Sequence, residues 1–175
     1  MTAVRTLSDP GFAGDDGSVA FEVAEALAAY DQDPDQEHPA TLAVLQHARL
    51  LVPVLAVLGE VEVDERGLAH DKSSDMATVL MQGRDGRMAL LAFTGSEPLR
   101  RWNPEGRPVP VSVPDAARAA VHDGADALLV DVAGPVMFVV ETEDLKALAD
   151  GFSLVEVGGR HAWVKPDDVR RGAPS

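Results

Sequence analysis

The stretch MATVLMQGRDGRMALLAF, Met76 to Phe93, decides how this chain folds. Two apolar runs flank GRDG, and Asp85-Gly86 between such runs is the strongest short-range signal for an antiparallel hairpin. Working downstream, ADALLVDVAGPVMFVVE predicts a second hairpin bent at Gly134 and Pro135, and FSLVEVGGRHAWVK a third pair of strands across Gly158 and Gly159. Helices separate them. In SVPDAARAAVHDG, Ser112 can cap, Pro114 suits the first turn and Gly124 can stop the helix; TEDLKALADG predicts another capped helix, closed by Gly151.

Working upstream, LLVPVLAVLGEVEV reads as one core strand, with Pro53 near its start or at a bulge because proline cannot donate to a ladder. In VAFEVAEALAAY, Phe21, Ala24, Leu27 and Ala28 share one face at helical spacing, with Ser18 placed to cap and an end near Tyr30. DQDPDQEHP then supplies two prolines that break continuity before ATLAVLQHA resumes a short helix. About four or five helices and six or seven strands, without sustained β-α-β alternation, make an α+β domain on a mixed or mainly antiparallel sheet. Three regions follow: a flexible arm over residues 1–17, one domain over 18–166 and a flexible tail over 167–175.

Composition excludes several chemistries. With no cysteine, thiolate catalysis, disulfides and cysteine-held metals are ruled out. The N-terminus has no basic start leading into an apolar run, and Leu50–Leu58, the longest apolar stretch, falls far short of the ~20 residues a membrane span needs. A cytoplasmic protein with no membrane partner is expected. Residues 1–38 hold nine acidic side chains against Arg5, within a net charge of −14, which disfavours general nucleic-acid binding. Residues 84–107 reverse the balance, with five arginines against Asp85, Glu97 and Glu105.

Motifs for metals and catalysis fail on spacing. DQDPDQ has acids at 31, 33 and 35, but Gln36 stands where a calcium loop needs glycine and Leu42 where it needs glutamate. It reads as an exposed acidic linker. His38, His47, His70, His122 and His161 form no metal-ligand pair and read as surface or helix-end residues. Ser73 and Ser74 sit in no nucleophile elbow, and no glycine pattern cradles a phosphate. No cofactor or metal is expected.

In TGSEPLRRWN, Ser96 as cap places Pro98 in the first helical turn, a better register than Thr94 as cap. Arg100, Arg101, Trp102 and Asn103 then remain to be explained. Tryptophan with arginine is the composition of binding hot spots, although Trp102 in an aromatic-poor chain also suits a core anchor, the favoured reading.

Together, AFTGSEPLRRWNPEGRPVPV, PDAARAAVHDGADALLVDVAGP, VMFVVE, ALAAYDQDP, ARLLVPVLA and DMATVLMQGRDGRMALLAFT resemble the SseB-type (enhanced serine sensitivity) family, over Glu22 to Gly151. The resemblance implies a small bacterial α+β domain, with no catalytic residue to carry over. The expectation is a non-enzymatic interaction or regulatory module with a protein partner at Arg100, Arg101 and Trp102, and with self-association into a homodimer open. The alternative is an anionic-ligand domain or weak enzyme using Thr94, Ser96 and the arginines.

Overall fold

The computed structural model describes residues 12–57, 62–63, 69–70 and 75–165; residues 1–11 of the expected arm, the tail and most of the GEVEVDERG segment, with Ser73 and Ser74, lie outside them. In chain order the elements are α1 (Phe21–Gln32), α2 (Pro34–Leu45), β1 (Arg49–Val57), β2 (Glu62–Val63), β3 (Ala69–His70), β4 (Asp75–Thr78), β5 (Leu80–Gln82) and β6 (Met88–Ala92). Then come α3 (Ser96–Trp102), β7 (Arg107–Ser112), α4 (Val113–His122), β8 (Ala127–Val130), β9 (Phe138–Val140), α5 (Thr142–Ala149), β10 (Ser153–Val157) and β11 (Arg160–Val164).

The three expected hairpins form. Gly83 and Arg87 close the β5–β6 turn with Gly86 at φ 83°, β8 pairs antiparallel with β9, and Gly158 and Gly159 both take positive φ between β10 and β11, as a two-residue turn requires. The sheet is mixed: β5-β6-β8-β9 form one group in which β6 and β8 run parallel, and β4-β1-β7 form another. A bridge between Leu51 and Phe93 joins the two groups. This is a single α+β domain with helices packed on sheet.

Strand alternation distributes the core. Leu50, Val52, Leu90, Ala92, Leu128 and Val130 face α1, α2, α4 and α5, while Leu51, Leu91 and Phe93 face a smaller cluster closed by Leu99 of α3. α4 ends in two bonds, Gly124 N–H to Val121 O and Ala125 N–H to Ala120 O, with Gly124 at φ 75°. That pattern satisfies the last carbonyls at a position favouring glycine. Gln46 clips α2 to β10, because its side-chain amide exchanges two hydrogen bonds with the Leu154 backbone, at 2.7 and 2.8 Å.

Four expectations are corrected. Ser18 does not cap α1: its N–H and hydroxyl both bond to Asp16, a local alternative to capping, and the helix starts at Phe21. α1 runs on to Gln32 and α2 begins at Pro34, because proline suits the first helical position and Asp33 accepts from Gln36 N–H. Pro39 lies inside α2. The turn before it is held by His38, which stacks on Phe138 at 4.7 Å and meets Val139 O at 3.1 Å, so that histidine is not the surface residue expected.

The third correction is β7, unexpected in RPVPVS. Leu51 N–H points to Phe93 and Leu51 pairs with Pro110, so Pro108 and Pro110 occupy the parity whose missing N–H faces away from β1. An edge strand tolerates proline there. Fourth, α5 carries no side-chain cap: Glu141 holds that position, and the Thr142 hydroxyl donates to Asp126 O at 2.8 Å. Replacing fully buried Leu128 by Ala should lower unfolding free energy by ~2–5 kcal/mol, and Ser112→Ala, which removes the α4 cap, by ~1 kcal/mol, both read from urea denaturation.

Candidate functional site

Parallel strands β6 and β8 end side by side, and their carboxyl ends carry Thr94 and Asp131. Asp131 N–H bonds to Ala92 O at 3.0 Å, carrying the ladder one step past β8. Its carboxylate accepts from Thr94 N–H at 2.8 Å and from the Thr94 hydroxyl at 2.6 Å. Both residues are buried, with Asp131 only 1% exposed. Asp131 also takes φ 54°, a left-handed conformation that suits a short polar side chain better than a branched one. Burial pushes its carboxyl above the ordinary value, against the Thr94 bonds that pull it down.

Above this pair opens a cleft of about 420 Å³ between α1, α3 and the loop after β8. Ala24, Ala28, Pro98 and Val136 supply apolar wall, while Asp31, Glu97 and Arg101 stand among the polar lining. Of the α1 face marked by helical spacing, Leu27 is buried, Phe21 is 70% exposed, and Ala24 and Ala28 are exposed to the cleft. The apolar stripe of α1 is therefore wider than the core it covers.

Val19 lines one side of the cleft, and the segment that leads to it is tied down. Arg49 donates to Thr94 O at 2.9 Å, Ser18 O at 2.9 Å and Asp15 at 2.6 Å, and Ser96 N–H bonds to Gly17 O at 2.7 Å. Gly95 permits this approach, since a Cβ there would lie 2.8 Å from a Val19 methyl carbon.

The residues singled out in TGSEPLRRWN do not converge. Thr94 reaches Asp131, and Arg101 lines the cleft while paired with Glu97. Ser96 is the first residue of α3 and not its cap; extended Gly95 holds that position, with no side-chain capping bond. Pro98 still falls in the first turn. Arg100 is exposed, and half-buried Trp102 packs on Phe93 at 5.5 Å between ring centres. Asn103 ends α3 and accepts from Glu105 N–H at 3.0 Å. Asp131 was missed, although a carboxylate at the end of the apolar run ALLV was the available signal.

Among the described residues no group of three His, Asp or Glu could hold a metal, and no helix is long and apolar enough to cross a membrane.

The molecule is thus a mixed-sheet α+β domain with a Thr-Asp pair beneath an acidic-apolar cleft. Residues 23–147, more than half of the chain, match the SseB protein N-terminal domain, and the protein belongs to that family. No curated protein and no solved structure matches it.

Because the folded carboxyl of Asp131 titrates above its ordinary 3.8, its contribution to stability is complete below that pH and is lost as pH rises through the folded value. Denaturation of wild type and Asp131→Asn across this range should therefore show the difference moving in favour of the Asn variant with rising pH. A difference moving the other way would contradict the assignment.

Proposed function

We propose that this SseB-family domain is a non-enzymatic regulatory module that acts by binding a small ligand in the cleft between α1, α3 and the 131–136 loop. The observation that carries the reading is the exposed apolar wall of Ala24 and Ala28 facing a volume suited to small ligands, above a hydrogen-bonded polar floor. Thr94 and Asp131 have the chemical types of nucleophile and base, but both are enclosed, and no histidine or lysine is among the described lining residues. Carboxylates at the cleft argue against the anionic ligand considered from the sequence. A cytoplasmic setting accords with the cysteine-free composition.

A fragment screen read by amide NMR tests this. Binders should shift the Ala24, Ala28 and Val136 amides in the wild type and lose that effect in Ala28→Trp, which fills the cleft. Fragments that leave those amides unmoved, or that are turned over, would overturn the reading.

A second copy of the chain is the other candidate partner, favoured by the opposite end of the sheet. An open recess of about 370 Å³ is lined by Met81, Ala89, Leu129 and Val139, beside Arg84 and Asp85, whose opposite charges a two-fold pairing would set against each other. Light scattering should then report a dimer that Met81→Lys dissociates; a wild-type monomer at every concentration eliminates it.

A further inference from the structure

We propose that the cleft selects a small organic cation, a protonated amine on a short apolar body. The inference rests on the cleft being a binding site and adds the charge of what it takes. Three carboxylates, Asp31, Glu97 and Asp131, stand among its lining residues against one guanidinium, that of Arg101. Arg101 is already paired with Glu97, which leaves Asp31 and Asp131 to set the sign of the site.

Asp131 is the stronger of the two. Its oxygens take bonds from the Thr94 amide and hydroxyl, neither of which brings a positive charge, and from its enclosed place beneath the floor it acts on the cleft through its field and not by contact. An enclosed carboxylate without a cation is costly, and an arriving ammonium would offset that cost where solvent screening is weak. Asp31 is exposed at the end of α1, where it can attract a cation from solution. The groups that would favour an anion are committed elsewhere: Ser96 N–H is taken by Gly17 O, and Arg101 by Glu97. Apolar surface from Ala24, Ala28 and Val136 accommodates the hydrocarbon body.

Three probes of matched length and different charge, n-hexylammonium, 1-hexanol and hexanoate, test the inference by amide NMR titration at neutral pH. Hexylammonium should shift the Ala28 and Val136 amides with an affinity about tenfold above that of the alcohol, a ratio equal to ~1.4 kcal/mol, and hexanoate should be weakest. Asp31→Asn, at an exposed position that places folding at little risk, and Asp131→Asn should each bring ammonium and alcohol closer to parity. Equal binding of the three probes or a preference for hexanoate overturns the charge selection while leaving the cleft a binding site, and a preference for ammonium that survives both substitutions overturns its assignment to Asp31 and Asp131. No shift at the cleft with any probe overturns both.

Discussion

β6 must be buried on both faces, and the rest of the molecule is arranged to satisfy that constraint. Leu90 and Ala92 point to one side of the sheet, Leu91 and Phe93 to the other, and all four are fully enclosed. A surface hairpin could not provide this, because a two-stranded ribbon leaves one face in water. The chain meets the demand by bringing β8 alongside in parallel, which puts α4 in the crossover and beneath the first face. The second face is covered at its carboxyl end by α3, whose Leu99 and Trp102 close over Phe93. Half-buried Trp102 thus packs on Phe93, while Arg101 pairs with Glu97 and Arg100 is exposed.

Parallel pairing also determines where polar chemistry appears. When β6 and β8 end together, their next backbone groups must be satisfied within a nearly enclosed volume, and Asp131 does so for Thr94 with one carboxylate oxygen while the other takes the hydroxyl. A threonine followed by Gly95 lets the chain turn sharply into α3, and Asp131 accepts the left-handed conformation that turns the other strand toward Gly134. The arrangement is structural in origin. Its consequence is chemical, because it leaves at the base of a cleft a carboxyl whose two hydrogen bonds both come from Thr94.

Local signals were legible wherever a turn or cap is governed by neighbouring residues. Gly86, Gly158 and Gly159 mark their hairpins, Ser112 and Gly124 bound α4, and the order of hairpins and helices implied an α+β class. Legibility failed where distant partners decide. Pro39 reads as a breaker until His38 is seen held by Phe138 and Val139, and Pro108 and Pro110 argue against a strand until β7 proves to be an edge. In α1, the periodicity of Ala24, Leu27 and Ala28 correctly marks an apolar face, but nothing local says that α3 and the 131–136 loop stop short of covering it. The site lay partly within reach: Thr94 and Arg101 border the cleft, Ser96, Arg100, Trp102 and Asn103 are not among its lining residues, and Asp131 was hidden inside a run read as strand.

The cleft is bounded by two kinds of structure. Its floor and most of its wall, Ala24, Ala28, Thr94, Asp131 and Val136, fall within residues 23–147, the part shared with the family domain. Val19 falls before it, in the segment that Arg49 ties down through Asp15 and Ser18 and that Gly95 admits by lacking a side chain. Arg49 itself belongs to β1, and its third bond goes to Thr94 O, on the same residue whose amide and hydroxyl hold Asp131. One arginine therefore couples the docked segment to the floor through a single intervening residue. A change in the Asp131 carboxyl would act on Thr94, and through the Thr94 carbonyl on Arg49 and the wall it holds. The physical means for a bound ligand to alter the surface beside the cleft are present in that chain of hydrogen bonds.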